Sequence, residues 1–471
     1  MGVRALRQST SLPSTVSVSA REAALFVAQR LLAAQHVALF AGGCVRDRLR
    51  GEEPKDYDVA TDAAPRRVKE IFPSAIGVGE AFGVMLVRRA GHSVEVATFR
   101  SDGAYADGRH PEQVRFGDPR ADALRRDFTI NGLFEDPRSG EIIDFVDGQA
   151  DLRRGLVRAI GDPVARLDED RLRCLRAVRF AARFGYLIDP LTRQAIVMAG
   201  DLRGVSRERV GQELRRMLKD AGRDVAVAEL QRMGLDRSVL DEENRLAPTP
   251  RVSGLPAGAS FETALVAWLL DRWAAEQAQH LPVHDAPSSP RSVQPGGSQD
   301  AGRAALQRLV RWAEVLVLSN DEIRLARSIL EQVIDLEGWT DAAPWARRSV
   351  AARKRRATAE GFQEALVILG TTRPDVARAV SDDVGHLAAA GGLAPAPLVG
   401  GDELIQALRL APGPRFKALL HEVYDAQLEG RVDSVDAALA FVQARWQEME
   451  QGGGAPGVGG TGRAPRRRAG G

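Results

Sequence analysis

Two aspartates one residue apart, Asp56 and Asp58, are the side chains whose type and spacing most directly suggest chemistry in this chain. They close the run Gly42-Gly43-Cys44-Val45-Arg46-Asp47-Arg48-Leu49-Arg50-Gly51-Glu52-Glu53-Pro54-Lys55-Asp56-Tyr57-Asp58. If Tyr57-Asp58-Val59 is extended, residues two apart point to one side of the strand, and both carboxylates can face a pair of hard cations about 3.5–4 Å apart. That geometry suits nucleotidyl transfer. An isolated Asp-x-Asp is also common on exposed strands and turns that bind nothing. Gly42-Gly43 lets the backbone approach a triphosphate closely, and Val37-Ala38-Leu39-Phe40 before it reads as a buried strand feeding a helix N-terminus.

Further blocks follow. In Leu124-Arg125-Arg126-Asp127-Phe128-Thr129-Ile130-Asn131-Gly132-Leu133, two adjacent arginines can offer planar forks to a phosphate, although Arg-Arg-Asp equally suits a solvated helix start. Gly161-Asp162-Pro163 leads into Arg166, Glu169-Asp170-Arg171-Leu172-Arg173 and Leu175-Arg176-Ala177-Val178-Arg179-Phe180, a stretch expected to be helical from Pro163 on. On one helix Asp170 and Arg173, three apart, share a face, where an ordinary surface ion pair is the plainest outcome. Glu95 stands between Val94 and Val96 on an expected strand, either facing the site as a third carboxylate or facing solvent. The turn-rich loop from Ser101 to Gly117 carries Arg109 and His110, read as loop polar groups.

Taken in order and spacing, GGCVRDRLRG…DYD, VEVATFR, RRDFTING and GDP…R…EDRLRCLRAVRF resemble the class II tRNA nucleotidyltransferase and bacterial poly(A) polymerase family over roughly residues 37 to 220. The resemblance implies that Asp56 and Asp58 hold Mg²⁺ for attack of an RNA 3′-hydroxyl on a nucleoside triphosphate, with Glu95 a candidate third catalytic carboxylate. It places Gly42, Gly43, Arg46 and Asp47 on the triphosphate and ribose side, and Arg125, Arg126, Asp127 and Asn131 in the nucleotide pocket, with Asp127 holding an arginine. Asp170 and Arg173 match the pair that reads the incoming base. An acceptor and a donor together complement the amine and ring nitrogen that cytosine and adenine share, whereas guanine and uracil would leave buried groups unpaired. Arg176 and Arg179 complete the implied nucleotide-binding set. Ile76 to Val84 and the C-terminal run Leu398 to Gly430 favour the tRNA branch, so the expected function is addition of C and A to tRNA from CTP and ATP. Addition of A alone, to tRNA or as a poly(A) tail, is the nearest alternative, and an RNA-binding relative without catalysis is the alternative from another class.

The elements that must position these groups follow an α+β pattern: a nucleotidyltransferase-type mixed-sheet head, then an all-helical neck, body and tail. The expected divisions are a flexible N-terminus (1–20), the head (21–160), the neck (161–240), the body (241–395) with a flexible insertion at 276–304, a tail (396–450) and a disordered basic end (451–471). Val210, Leu214, Met217 and Leu218 recur at helical spacing, and Phe261 to Trp273 reads as a second apolar helix. The pair His284-Asp285, in a proline-flanked loop, lacks the further ligands a metal site needs.

At 471 residues and 44% hydrophobic the chain can bury several cores. Its 65 Lys and Arg against 63 Asp and Glu leave a formal charge of +2, so an RNA-binding face must come from local clustering, best represented by Arg173, Arg176, Arg179 and Arg183. Two cysteines, Cys44 and Cys174, exclude a cysteine-rich zinc cluster and are expected to pack rather than react. With no run of 18 apolar residues, a soluble cytoplasmic protein is expected, with no membrane partner and an oligomeric state that the sequence leaves open.

Overall fold

The computed structural model describes residues 18–79, 83–102, 114–279, 299–339, 343–408 and 413–451. Arg109, His110, His284 and Asp285, most of the stretches 1–20 and 276–304, and residues 452–471 lie outside them. Contacts group the chain into two compact units, Met1–Pro290 with Gln307–Ile323, and Arg291–Leu306 with Arg324–Gly471.

The first unit opens with α1 (Ala20–Ala33), whose start is fixed by a capping box: the Ser19 hydroxyl accepts from the Glu22 amide and the Glu22 carboxylate accepts from the Ser19 amide. Then come β1 (Ala38–Ala41), α2 (Gly43–Leu49), β2 (Asp58–Thr61), α3 (Pro65–Ile71), β3 (Ile76–Gly79), β4 (Val84–Arg89) and β5 (His92–Thr98). A two-stranded ribbon, β6 (Arg100–Asp102) and β7 (Val114–Phe116), precedes α4 (Pro119–Leu124), β8 (Leu133–Glu135), β9 (Ile142–Asp144) and α5 (Gly148–Arg154).

Seven strands form one sheet in the order β3-β4-β5-β2-β1-β8-β9. Every pairing is antiparallel except β2 with β5, so the sheet is mixed. One face carries Phe40, Val59, Met85, Val94 and Val96 into a core with Ala24, Val27 and Leu31 of α1 and Val68 of α3. The alternating residues Leu39, Ala41 and Ala60 face the other way, joined by Phe99, Ala123 and Phe134. Period-2 alternation thereby places the Asp58 and Glu95 positions on the face opposite the helical layer.

β10 (Leu156–Val157) closes the head, and beyond it lie α6 (Pro163–Glu169), α7 (Leu172–Phe184), β11 (Leu187–Ile188), α8 (Pro190–Ala199), α9 (Arg207–Lys219), α10 (Arg223–Arg232), α11 (Leu235–Leu240), α12 (Pro250–Gly254) and α13 (Phe261–Gln279). The expected helical spacing in α9 is real, with Val210, Leu214, Met217 and Leu218 all buried. The single helix expected from Pro163 is instead two. Asp170 is extended (φ −156°, ψ 102°), and its side chain accepts from the Leu172 amide, so it ends α6 and helps start α7. Nor is the neck purely helical, since its β11 pairs in parallel with β10 of the head.

The helices reach into both ends of the 276–304 insertion, α13 to Gln279 and α14 (Gln299–Val315) from Gln299. Trp268 of α13 and Trp312 of α14 are both fully buried, with ring centroids 5.6 Å apart. In the second unit, after α15 (Asn320–Leu336), α16 (Val350–Ala357), α17 (Phe362–Thr372) and α18 (Pro374–Ala389) gather around Phe362, Leu369 and Val380. There α19 (Gly401–Leu408), α20 (Pro414–Leu428) and α21 (Val435–Gln451) bury Leu404, Leu419 and Val442 together.

Candidate active site

The end of β1 turns into α2 at Gly42, whose φ of 69° and ψ of −117° suit glycine alone. A Cβ built there would stand 2.8 Å from Nη1 of Arg126. This turn opens a cavity of about 520 Å³ lined by Gly42, Gly43, Arg46, Asp58, Arg125, Arg126, Asp127, Asn131, Asp170, Arg173, Arg176 and Arg179, together with Leu172, Phe180, Arg183 and Arg209. A smaller adjoining cavity of about 280 Å³ shares Asp58, Arg125 and Arg126 and adds Glu95. A further cavity of about 510 Å³, lined by Leu49, Arg50, Gln149, Leu152, Arg153, Phe184 and Tyr186, contains no acidic side chain.

Asp58 begins β2, and Asp56 lies just before the strand. Tyr57 between them is buried edge-on against Phe40, at 5.2 Å between ring centroids. The β2–β5 register pairs Val59 with Val96, and its continuation sets Asp58 beside Glu95. The Asp58 residue is exposed, while its carboxyl lies close enough to surrounding protein atoms to feel their burial. Burial, the Glu95 charge and, more weakly, Asp56 push its carboxyl up to about 6 against the opposing pull of Arg126. No ion pair reaches Asp58 among the described residues.

Unpaired, crowded carboxylates of this kind fit a hard divalent cation. No three His, Cys, Asp or Glu side chains form a metal cage among the described residues. A cation held here would therefore complete its shell with water and phosphate oxygens, as Mg²⁺ habitually does.

Around this centre the arginines are held by acids. Arg46 donates to Asp47 at 2.7 Å and to the Asn131 side-chain oxygen at 2.6 Å, with its guanidinium over the rings of Phe184 (4.8 Å) and Phe180 (5.3 Å). Asp47 does not line the cavity, and its role here is to hold Arg46. Asn131 turns its amide nitrogen to Asp127 at 3.0 Å, and Asp127 in turn receives Arg176 at 2.7 Å. Arg179 is fixed by Glu213 of α9 at 2.6 Å.

Asp170 and Arg173 do not pair with each other. Asp170 receives Arg209 of α9 at 2.6 Å. Arg173 donates to Glu169 at 2.5 Å and to the Arg166 carbonyl at 2.6 Å. Both line the same cavity, each fixed by a different partner, and Arg209 lines that cavity as well. Both cysteines are buried, which drives Cys44 to about 11 and Cys174 to about 12 and leaves them thiols that pack.

A family profile described as the Poly A polymerase head domain matches residues 38–158, from β1 through β10. The CCA-adding enzyme of Levilactobacillus brevis is 38% identical over 247 residues, 52% of this chain and 62% of that enzyme. That of Geobacillus stearothermophilus is 42% identical over 197 residues, 41% of this chain and 48% of its own length. The chain thus spans about half to under two thirds of these curated relatives. A crystal structure of the Bacillus stearothermophilus CCA-adding enzyme in complex with CTP superposes with a TM-score of 0.68 and 25% identity over 92% of this chain and 98% of that one. Residues 38–158 are thus similar to the Poly A polymerase head domain, and the chain is similar in sequence and fold to CCA-adding enzymes.

Of the residues assigned to the site from the sequence, the structure brings together all but Asp56 and Asp47, which line neither cavity. Sequence reasoning missed Asp122, Arg209 and Glu213, the partners that fix the site arginines and Asp170. Asp122 had a local signal, since it precedes Arg125 and Arg126 by three and four residues. Glu213, 34 residues from Arg179, had none.

Two expected results follow from this geometry. Gly42→Ala would force a side chain into a left-handed turn and against Arg126, so stability should fall by about 1–3 kcal/mol. Thermal melts check this, and a wild-type-like melting temperature would contradict it. Burial alone would raise the Asp127 carboxyl, but Arg176, Asn131 and the Phe128 amide more than offset it and bring it down to about 2. Because the folded value lies below the unfolded one of 3.8, ionised Asp127 stabilises the fold fully above that value, and the contribution fades as pH falls towards about 2. Asp127→Asn should remove about 2 kcal/mol of pH-dependent stability in that window. Urea unfolding at neutral pH and near pH 3 measures it; an unchanged pH slope would refute it.

Proposed function

We propose that this protein adds C and A residues to the 3′ end of tRNA, using CTP and ATP and releasing pyrophosphate. The observation that carries the reading is the pair Asp170 and Arg173, held apart and pre-oriented on the same cavity that contains Asp58 and the arginine cluster. The CCA-adding enzymes it matches, one solved with CTP at 25% identity, support the same reading.

In this reading Asp56 and Asp58 hold Mg²⁺, and Glu95 stands as the third catalytic carboxylate. When bound, Mg²⁺ supplies charge neutralisation for the triphosphate and activation of the RNA hydroxyl. Gly42 and Gly43 admit the phosphates close to the backbone, while Arg46, Arg125 and Arg126 bind them with guanidinium forks. Asp127 and Asn131 keep Arg176 and Arg46 in place beside the ribose. Asp170 accepts from the amine of cytosine or adenine and Arg173 donates to the adjacent ring nitrogen. Arg176, Arg179 and Arg183 line the cavity with positive charge for the nucleotide and the RNA end.

The domain division at residues 160, 240 and 395 belongs to the same proposal, as does a cytoplasmic location. No helix of the described residues is long and apolar enough to cross a membrane.

The test is incubation of tRNA lacking its terminal CCA with labelled CTP alone, then with ATP alone. CTP incorporation without ATP, with A added only after C, is the expected result. ATP extension without CTP would select the A-adding alternative, and no incorporation of either would leave an RNA-binding relative.

A further inference from the structure

Asp122 sits on α4 with a relative exposure of 1% and lines neither cavity. Its two carboxylate oxygens are divided between adjacent arginines. Oδ1 receives Arg125 through Nε at 2.8 Å and Nη2 at 2.6 Å. Oδ2 receives Arg126 through Nε at 3.1 Å and Nη2 at 2.9 Å. Arg126 is further tied by Nη1 to the Asn131 carbonyl at 3.1 Å and lies over the Phe134 ring at 4.9 Å. Both arginines line both cavities.

One negative charge thus stands behind two positive ones. Two long side chains, each with rotamer freedom to lose, are already ordered in the free protein. Three of the five N–H groups of Arg126 are occupied by these contacts, on Nε, Nη2 and Nη1, so two are left directed by the clamp rather than by the ligand.

We propose that Asp122 is a positioning residue that sets triphosphate affinity by clamping Arg125 and Arg126 at a fixed spacing, without itself touching the nucleotide. This deepens the transferase reading given above. Since the phosphates are common to CTP and ATP, the clamp acts on both nucleotides equally and leaves the choice of base to Asp170 and Arg173. Asparagine at this position keeps one acceptor oxygen but turns an N–H donor toward the second arginine, so one guanidinium comes loose.

The experiment uses the full chain with CTP and ATP. Asp122→Asn should raise KM for both nucleotides by the same factor, roughly tenfold, with kcat within about twofold of wild type. Isothermal titration of CTP without RNA should show the same loss of affinity. Asp118→Ala removes the N-cap of α4, whose carboxylate accepts from the Ala121 amide at 2.8 Å, and should lower the melting temperature while leaving KM unchanged. That contrast separates positioning from mere helix stability. An Asp122→Asn enzyme with wild-type KM and CTP affinity, or one whose KM rises for one nucleotide alone, overturns the proposal. If Asp122→Asn does not fold, Asp122→Glu, which keeps the charge but changes its reach, decides in the same way: raised KM for both nucleotides supports the clamp and an unchanged KM refutes it. Should wild type transfer no nucleotide, the transferase reading falls, while the CTP titrations still decide the clamp.

Discussion

Asp58→Ala is expected to reduce nucleotide incorporation by about three orders of magnitude or more, a loss of about 4 kcal/mol or more of transition-state stabilisation. The fold should survive. Asp58 is disfavoured as an anion by burial and by Glu95, so its folded value of about 6 lies above the unfolded one of 3.8. An ionised carboxylate there costs the cation-free protein stability, and above about pH 6 the variant should melt at the same temperature as wild type or higher. The same shift predicts that the affinity of the wild-type protein for a divalent ion falls as pH drops through about 6, because a proton then competes for the site. Single-turnover incorporation into tRNA, beside thermal melts of both proteins, measures the effect. Wild-type-like incorporation by Asp58→Ala at ordinary Mg²⁺ concentration would remove the carboxylate pair from the mechanism.

The second large effect lies in base choice. Arg173→Ala should lower discrimination between CTP and UTP by roughly 10- to 100-fold while slowing CTP transfer less, because a polar site rejects the wrong base by leaving buried groups unpaired. The structure adds a reason to expect this. Arg173 is held by Glu169 and two main-chain carbonyls, and Asp170 by Arg209, so neither side chain has to be recruited from solvent when a base arrives. Competition of CTP with UTP for one RNA acceptor, for wild type and variant, gives the ratio directly. Unchanged discrimination would assign base reading elsewhere.

The parts legible in the sequence were those with short-range causes. The glycine turn at Gly42, the strand before it and the apolar spacing of α9 all follow from local periodicity and backbone freedom. Helix spacing misled at Asp170, because a side chain that accepts from the amide two residues on competes with the helix it seems to continue. Asp170 and Arg173 line one cavity across a break in the helix instead of sharing one helix face, and the surface ion pair that their spacing allowed does not form. The supports were less visible. Glu213 and Arg209 reach the site from α9 through tertiary packing, with 34 residues separating Glu213 from Arg179 and 39 separating Arg209 from Asp170. Asp122 alone among them carried a readable spacing, two helical pairs sharing one acid.

The most direct test of the central claim is a crystal structure of the protein with CTP and Mn²⁺, using the anomalous signal of the metal to locate it. The account predicts manganese bonded to Asp56 and Asp58 beside the triphosphate, Arg125 and Arg126 on its oxygens, and the Watson–Crick edge of cytosine on Asp170 and Arg173. Metal bound away from the two aspartates, or a cytosine whose edge meets neither Asp170 nor Arg173, would contradict it.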